Sequence, residues 1–342
     1  MSVLVLGAKP TNVGGVESVI FNLNVNLFKN GFRPTTLYMP CCNNKLFLSF
    51  KSFLSLQPLL RSRSLDFDLV HGHGDNCFFY SIFRQKKIPF VVTFHGTMQA
   101  NLESIGHRNC MEIAYFSMPE KVAAEACDIA VACSKGVKDE LVRLYGIPSA
   151  KVRVIHNGVD VKQFRPMPKD EARAKFGIRN DVFYGLWIGK QIRRKGLDVA
   201  IAACKIAKCG LLIGGTNGKS SGLIRYLGRV PNYLLALLYN AADFFIYPSR
   251  YEGHPIVCLE ALASGLPLIV SKAAKVEIID DGTQGYVISD VNDYQKFAER
   301  IKLLMHNAGM LEKMAKSARD IAKNFSWTIQ TGKYIQIYKE LL

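Results

Sequence analysis

The chain has 342 residues, enough for about two domains at roughly 150 residues each. Hydrophobic residues make up 49% and charged residues 21%, so the chain can bury a sizeable core, which excludes a disordered or acidic-tail protein. Lys and Arg number 44 against 28 acidic residues. The resulting net charge of +16 favours a phosphate-bearing partner: a nucleotide, a nucleic acid or an anionic membrane face.

The cysteine pattern and the hydropathy of the chain indicate a compartment. The nine cysteines are odd in number and include no C-x-x-C pair, which argues against both a disulfide framework and a zinc site. The N-terminus lacks the basic and long apolar regions of a signal peptide. No run reaches the ~18 apolar residues of a membrane span. We therefore expect a soluble, cytoplasmic protein.

Short apolar runs alternate with helical patterns along the first half. Residues 3–6 predict a buried strand, and apolar side chains at helical spacing over 16–27 predict a helix that stops at Gly31. Further strands are predicted at 35–39, 68–71, 89–94, 128–133 and 152–155. Strands separated by helices predict βαβ units and a parallel sheet.

The second half repeats this rhythm. Strands are predicted at 184–188, 210–213, 243–247, 266–270 and 285–288, and helices at 197–207, 232–241, 256–264, 294–306 and 310–323. Between the halves, residues 156–170 are rich in Gly, Pro and turn-formers and predict a linker. We expect an α/β protein with two Rossmann-like, doubly wound domains facing a central cleft, where such folds bind ligands.

The stretch YPSRYEGHPIVCLEALASGLP, residues 247–267, carries the most information. A strand is predicted to end there, and after a loop a helix opens near Pro255 and closes at Gly265. The free backbone N–H groups near Ile256 and Val257, with the positive end of the helix, predict a diphosphate site. The net charge also favours a diphosphate site in the second half, since residues 161–342 carry a net charge of +11 and residues 1–160 only +5.

Two glutamates in this stretch are candidate functional residues. Glu260 stands on an otherwise apolar helix, where a carboxylate needs a partner. Either two adjacent ribose hydroxyls or a buried Lys or Arg would supply one. Glu252, in the preceding loop, either faces a sugar or is a solvated loop residue.

Seven motifs in order resemble the retaining nucleotide-sugar glycosyltransferases of family 4, which have the GT-B fold. The resemblance spans nearly the whole chain. The motifs are NVGGVE (12–17), TFHGT (93–97), ACSKGVKDEL (132–141), VIHNGVD followed by FRP (154–166), GKQIRRKGLDVAIAA (189–203), two glutamates eight positions apart followed by ALASGLP (252–267), and FSW (325–327).

The resemblance implies roles for the second-half motif. Glu252 matches the glutamate near the hydroxyls and anomeric centre of the donor sugar, and Glu260 matches the one that holds the ribose. Ile256 and Val257 would offer N–H groups to the phosphates. The remaining donor-binding positions implied in this loop are Gly253 and His254.

Lys190 and Lys195 match the family's phosphate clamp, usually an Arg and a Lys five residues apart. Two cations beside a leaving diphosphate stabilise the charge that develops on it. Lys190 stands where Arg is usual, and a lysine lacks the bidentate fork. Either Arg193 or Arg194 compensates, or the clamp is looser; without the neighbouring motifs the segment would be a solvated basic turn.

Three residues of the first half complete the predicted site. Gly14 and Gly15 follow the first strand and match the family's loop over the donor diphosphate, or form a plain tight turn. His95 ends an apolar strand, as a satisfied core histidine also would. The resemblance places His95 beside the donor sugar and the acceptor, so we expect Glu252 and His95 to be the catalytic residues, with His95 positioning the sugar rather than acting as a base.

We expect neither a metal nor a cofactor, with the nucleotide diphosphate sugar as a substrate. His71 and His73 have no carboxylate or cysteine at a ligand spacing. Asp66 and Asp68 form a D-x-D before a strand, but GT-B enzymes do not depend on that motif, so a structural role is expected.

Residues 45–63, KLFLSFKSFLSLQPLLRSR, mix Lys and Arg with Phe and Leu, within an acid-free stretch from Ser18 to Leu65. Such a segment suits an anionic membrane surface, with peripheral attachment at the inner face of the membrane. Alternatively, its apolar side chains belong to the core and its bases solvate a surface helix. In the first case the acceptor is lipid-linked or lipid-anchored.

The sequence therefore predicts a retaining glycosyltransferase that moves a sugar from a nucleotide diphosphate sugar, a UDP-sugar favoured, to a hydroxyl of a glycan or lipid-linked acceptor. Residues 1–164 would form the acceptor-side domain and 165–326 the donor-binding domain, with a last helix at 327–342 crossing back to the first. The alternatives are a basic nucleic-acid-binding protein and a GT-B nucleotide-sugar epimerase or hydrolase. No nucleic-acid partner is expected, because bases and exposed aromatics interleave nowhere outside 45–63.

Overall fold

A computed structural model describes residues 1–8, 15–39, 66–84, 87–190 and 192–342. The described chain divides into two compact units, Met1–Asn157 with Trp327–Leu342, and Gly158–Ser326. The boundary lies seven residues before the one expected after residue 164. Val159 and Phe164 explain the difference, because both side chains are buried in the core of the second unit.

The first unit is built on a parallel sheet of six described strands in the order β2-β1-β3-β4-β5-β6. The strands are β1 (Ser2–Ala8), β2 (Arg33–Met39), β3 (Leu69–His73), β4 (Phe90–Phe94), β5 (Ile129–Ala132) and β6 (Val152–Val154). The helices are α1 (Gly15–Lys29), α2 (Phe78–Phe83), α3 (Met98–Ser104), α4 (Cys110–Ala126), α5 (Lys135–Tyr145) and, from the chain's end, α12 (Trp327–Leu341).

Burial follows the sequence pattern in this unit. Strands β3 and β4 are buried along their whole length, as expected for central strands of a parallel sheet covered on both faces. Helix α1 buries Leu23 and Leu27 with the other apolar residues of one face. Helix α12 lies on the first unit and contributes the buried Tyr334 and Tyr338 to it.

The second unit repeats the architecture with a parallel sheet in the order β12-β11-β10-β7-β8-β9. Its strands are β7 (Tyr184–Ile188), β8 (Gly210–Gly214), β9 (Ile224–Gly228), β10 (Phe244–Tyr247), β11 (Leu268–Ser271) and β12 (Gly285–Ile288). Its helices are α6 (Lys169–Phe176), α7 (Leu197–Ala207), α8 (Asn232–Asn240), α9 (Ile256–Ala263), α10 (Tyr294–Met305) and α11 (Ala308–Lys323). Strand β9 was not predicted from the sequence; it is an edge strand in which only Ile224 is buried.

Each sheet reverses its strand order at one point. In the first unit the reversal lies between β1 and β3, and in the second between β7 and β10. Open parallel sheets bind ligands beyond the carboxyl ends of the strands at such a reversal. The loop after β7 carries the basic candidates Lys190 and Lys195, and the loop after β10 carries Glu252 and leads to Glu260. The topology therefore places these residues at one edge of the second sheet.

None of the described helices is both long and apolar enough to cross a membrane. The segment 45–63, on which the membrane hypothesis depends, lies outside the described residues. The seven described cysteines are all free thiols, and six of them are buried. A buried free cysteine packs as a small hydrophobic side chain.

Candidate active site

The loops that follow β7 and β10 are joined by hydrogen bonds. Within the first of these loops, the carbonyl oxygen of Lys195 accepts a hydrogen bond of 2.9 Å from the indole Nε1 of Trp187 in β7. The backbone N–H of Arg250 donates to the carbonyl oxygen of Arg194 over 2.8 Å, and the Arg194 guanidinium returns a hydrogen bond of 2.7 Å to the carbonyl of Tyr251. The basic loop and the Glu252 loop therefore form one structure.

Gly196 makes this close approach of the two loops possible. Its φ is +67°, a left-handed conformation that L side chains rarely adopt. A Cβ atom there would lie 1.9 Å from the carbonyl oxygen of Pro248. Only glycine fits, and it fixes the position from which Lys195 extends.

Glu252 is the centre of a polar cluster at this edge. Its Oε1 lies 3.2 Å from Nζ of Lys195 and 3.5 Å from Nη1 of Arg194. The hydroxyls of Tyr247 and Ser249 donate to the same oxygen over 3.0 and 3.2 Å. With 12% of its side chain exposed, Glu252 is not the solvated loop residue of the alternative interpretation. Lys195 also hydrogen-bonds the Tyr247 hydroxyl.

The three basic candidates beside Lys195 differ in position. Lys190 follows β7 and is exposed, and Arg193 is exposed as well. Arg194 is half-buried and contacts the Glu252 carboxylate. Of Arg193 and Arg194, only Arg194 therefore shares the polar cluster with Lys195.

Glu260 lies on α9 and accepts a hydrogen bond of 2.7 Å at Oε2 from the hydroxyl of Tyr239 on α8. Burial raises the pKa of Glu260 to about 7, and the hydrogen bond from Tyr239 lowers it in part. No described Lys or Arg forms an ion pair with this carboxyl. The alternative in which a buried Lys or Arg is the partner of Glu260 therefore does not apply. The carboxyl therefore titrates near neutral pH.

Helix α9 begins at Ile256, after Pro255 in an extended conformation with no side-chain cap. The first N–H groups of a helix have no intrahelical acceptor, and those of Ile256 and Val257 lie at this end. Gly253 and His254 precede the helix and are buried. Gly253 and His254 thus lie in the loop between Glu252 and α9, whose first turn carries Ile256 and Val257.

In the first unit, His95 follows the carboxyl end of β4 and is half-buried. Its Nε2 lies 3.1 Å from Nδ1 of His73, which ends β3, and burial lowers the pKa of His95 to about 4. Two carboxyl groups hold the segment after His95 through one backbone and one side-chain hydrogen bond. Met98 N–H donates to Glu120 over 2.6 Å, and the Thr97 hydroxyl donates to Glu140 over 3.0 Å.

Of the two predicted loop glycines, Gly14 lies outside the described residues. Gly15 is the first residue of α1 and is exposed, and a Cβ there would meet no atom within 4 Å. The structure therefore shows no close approach that requires glycine at position 15.

The described residues include no group of three or more His, Cys, Asp or Glu side chains placed to hold a metal ion. His71 and His73 instead stack on each other, with ring centroids 4.6 Å apart. Asp68 accepts hydrogen bonds from the N–H and hydroxyl of Ser2 over 2.7 and 3.0 Å. It thus joins the start of β1 to the segment before β3, which is a structural role.

Sequence reasoning missed three hydroxyl-bearing residues of the second unit. Tyr247 is the last residue of β10, so its position at a carboxyl strand end was a usable signal. Ser249 follows two residues later. Tyr239 had no such signal, because its contact with Glu260 depends on how α8 and α9 pack.

Two family models match the chain, one to each half. Residues 13–163 match the model for Glycosyltransferase Family 4, and residues 168–321 match the model for Glycosyl transferases group 1. The fold and the matches define a glycosyltransferase, an enzyme of the transferase class. The chain belongs to the glycosyltransferases that combine these two domains, as its motifs predicted.

Curated relatives carry similar descriptions. D-inositol 3-phosphate glycosyltransferase 1 of Catenulispora acidiphila is 26% identical over 307 residues, and the match covers 81% of this chain and 73% of the relative. The D-inositol 3-phosphate glycosyltransferase of a Nocardioides species is 24% identical over 285 residues, 74% of this chain and 62% of the relative. An uncharacterized glycosyltransferase of Methanocaldococcus jannaschii is 26% identical over 297 residues, 80% of this chain and 75% of the relative.

Solved structures share the architecture. Sucrose-phosphate synthase of Thermosynechococcus elongatus has a TM-score of 0.84 at 19% identity, covering 99% of this chain and 98% of that one. HepE of Anabaena, solved in complex with UDP-glucose, has a TM-score of 0.81 at 16% identity over the full length of both chains. The fold is therefore GT-B, with two Rossmann-like domains, as the sequence predicted.

Proposed function

We propose that this glycosyltransferase moves a sugar, with retention, from a UDP-sugar to a hydroxyl of a glycan or lipid-linked acceptor. The observation that carries the proposal is the Glu252 cluster at the strand-order reversal of the second unit. Lys195 and Arg194 are held there by a carboxylate that a diphosphate can replace. Residues 158–326 would bind the donor and the first unit the acceptor.

The donor assignment rests on the chemistry of three groups. Lys195 and Arg194 would meet the diphosphate and stabilise the charge it gains as the glycosidic bond breaks. The N–H groups of Ile256 and Val257 would bind phosphate oxygens at a helix N-terminus. Glu260, whose partner is the hydroxyl of Tyr239, would accept hydrogen bonds from the ribose hydroxyls.

When the donor binds, Glu252 would lose its ion pairs with Lys195 and Arg194 and contact the donor sugar instead. When Lys195 and Arg194 bind phosphate, the carboxylate becomes free to accept hydrogen bonds from sugar hydroxyls near the anomeric centre. In a retaining transfer by front-face attack, the acceptor hydroxyl bonds to that carbon as the bond to the diphosphate oxygen breaks. The acceptor's proton passes to the departing phosphate.

Uridine as the base is supported by a structural neighbour, since HepE of Anabaena was solved with UDP, with UDP and glucose, and with UDP-glucose. A lipid-linked acceptor is compatible with WaaG, a neighbour with a TM-score of 0.76 described as involved in lipopolysaccharide biosynthesis. We also propose that transfer needs no metal, because the diphosphate charge would be met by Lys195, Arg194 and backbone N–H groups.

Thermal unfolding with UDP, GDP, ADP, CMP and their sugars, in EDTA, tests the donor. A ligand at 100 times its Kd stabilises the fold by about 2.7 kcal/mol, so the correct base should stand out. The configuration of the first product formed, read by NMR at the anomeric proton, tests retention. No shift with any diphosphate, an inverted product, or loss of transfer in EDTA would each contradict the corresponding part of the proposal.

A further inference from the structure

Three imidazole rings are arranged in a row in the first unit. His71 and His73 project from β3 and are fully buried, and half-buried His95 follows β4. The rings of His71 and His73 stack with centroids 4.6 Å apart, and those of His73 and His95 lie 5.3 Å apart at an interplanar angle of 9°. The row therefore runs from the core to the predicted substrate side of His95.

All three rings are neutral at ordinary pH. Burial lowers the pKa of His71 to about 3 and of His95 to about 4, and it lowers the pKa of His73 well below its usual range. A neutral imidazole has one N–H donor and one acceptor nitrogen. The location of each proton is then decided by the neighbours of each nitrogen.

The pair His73 and His95 shares one proton between Nδ1 of His73 and Nε2 of His95, which are 3.1 Å apart. If His95 donated it, His73 would carry its own proton on Nε2. That nitrogen is buried and has no hydrogen-bond partner among the described residues. A buried N–H without an acceptor is rarer and more costly than an unused lone pair. The proton therefore belongs to Nδ1 of His73, which donates to His95.

We propose that His73 is a positioning residue that fixes His95 as the Nδ1–H tautomer, so that His95 offers a neutral hydrogen-bond donor to a hydroxyl oxygen of a sugar substrate. Nε2 of His95 is then occupied by the proton of His73, and Nδ1 carries a proton already. His95 consequently has no free lone pair with which to act as a general base. The inference rests on the proposed function and on the position beside the donor sugar that the family resemblance implies for His95.

His71 provides an internal contrast. The Thr93 hydroxyl donates to the oxygen of Tyr334 over 3.3 Å, so Thr93 accepts from Nε2 of His71, 2.8 Å away. Nδ1 of His71 then accepts from the hydroxyl of Tyr338 over 2.7 Å. His71 is therefore the Nε2–H tautomer, opposite to His95.

Long-range proton–nitrogen correlation NMR of the donor-free, full-length protein, labelled with ¹⁵N-histidine, measures both tautomers. The chain has seven histidines, so the His95 signals can be identified as those lost in His95→Gln. We expect His95 to carry its proton on Nδ1 and His71 on Nε2. A proton on Nε2 of His95 in the wild-type protein would overturn the proposal.

Two substitutions test the role of His73. In His73→Asn the side-chain amide can still donate at the position of Nδ1, so His95 should remain Nδ1–H and transfer should be largely retained. In His73→Asp the side chain offers an acceptor and no donor at this position, so His95 should change to Nε2–H and kcat should fall by about 10- to 100-fold. If His95 stays Nδ1–H in His73→Asp, His73 does not set the tautomer.

The two proposals fail separately. The tautomer is measured without donor or acceptor, so it stands or falls whether or not UDP-sugars are substrates. If either His73 variant does not fold, shown by loss of its thermal transition, the wild-type spectrum decides alone. An active enzyme with the Nε2–H tautomer at His95 would overturn only this inference.

Discussion

The hydroxyl of Tyr239 donates a hydrogen bond of 2.7 Å to Oε2 of Glu260, and this bond joins α8 to α9 beneath the predicted ribose position. The carboxyl is held in a buried environment with a pKa of about 7. Burial favours its neutral form, whereas the Tyr239 hydroxyl favours the charged form that two ribose hydroxyls would also prefer. Donor binding and ionisation of Glu260 are therefore linked.

From this linkage we predict that the affinity for UDP-glucose rises as the pH increases through about 7. Tyr239→Phe removes the hydrogen bond that lowers the pKa of Glu260, so the midpoint of this rise should move to higher pH. Calorimetric titrations between pH 5.5 and 8.5 measure it. Tyr233→Phe is the matched control, because Tyr233 lies on the same helix and is 77% exposed. A pH-independent affinity would contradict the assignment of Glu260 to the ribose.

The ionisation of Glu260 should also make the free energy of unfolding depend on pH. The unfolded chain loses the Glu260 proton above pH 4.5, whereas the folded protein keeps it until about pH 7. The free energy of unfolding contributed by this group therefore falls as the pH rises from about 4.5 to 7. Glu260→Gln should remove that loss, which is at most on the order of 3 kcal/mol for a pKa that rises from 4.5 to about 7. Urea unfolding of both proteins at pH 5 and pH 8 measures the difference, and an equal stability gap at both pH values would be evidence against it.

Glu252→Gln should separate binding from transfer. The variant removes the carboxylate that holds Lys195 and Arg194, so UDP affinity should be preserved or slightly increased. Transfer should fall by about 100-fold, because the carboxylate is expected to act at the sugar. Glu299→Gln, at an exposed glutamate on α10, controls for a simple change of charge. Full transfer activity in Glu252→Gln would show that Glu252 does not act at the sugar.

The strands of both sheets and the site loops were predictable because each is marked by a residue pattern within a short stretch of the sequence. Strands such as Tyr184–Ile188 are continuous apolar runs, and the glutamates follow a strand with turn residues between. Strand β9 was missed because an edge strand with Arg225 and Gly228 has little apolar pattern. The Tyr239–Glu260 and His73–His95 contacts depend on side chains from different elements, which no local pattern encodes.

The Gly196 position should tolerate no side chain. In Gly196→Ala the Cβ would meet the Pro248 carbonyl oxygen as well as adopt an unfavourable φ, so we expect about 3 kcal/mol of destabilisation or more. The displaced Lys195 should also weaken UDP binding. Gly222→Ala has a similar φ of +58° but open space around the Cβ, and should cost only about 1 kcal/mol. Urea unfolding and UDP titration measure both variants. Equal effects would show that the contact with Pro248 does not matter.

The buried ion pair between Arg173 and Asp243 in the second unit should be costly to break. Oδ2 of Asp243 accepts from Nη2 of Arg173 over 2.8 Å and from the N–H of Tyr184 over 2.7 Å, while Lys169 contacts Oδ1 over 2.6 Å. Asp243→Asn would leave the guanidinium of Arg173, itself buried, without a counter-charge.

The expected loss for Asp243→Asn is about 3–5 kcal/mol in the free energy of unfolding, because a buried charge cannot recover its hydration. Asp181→Asn breaks the pair with Arg179, in which both side chains are mostly exposed, and should leave stability unchanged. Denaturant unfolding of the two variants beside the wild type makes the comparison. Tyr184 begins β7 and Asp243 directly precedes β10. A small loss for Asp243→Asn would mean that the charge of Asp243 is not needed to align these two strands, whose loops carry Lys195 and Glu252.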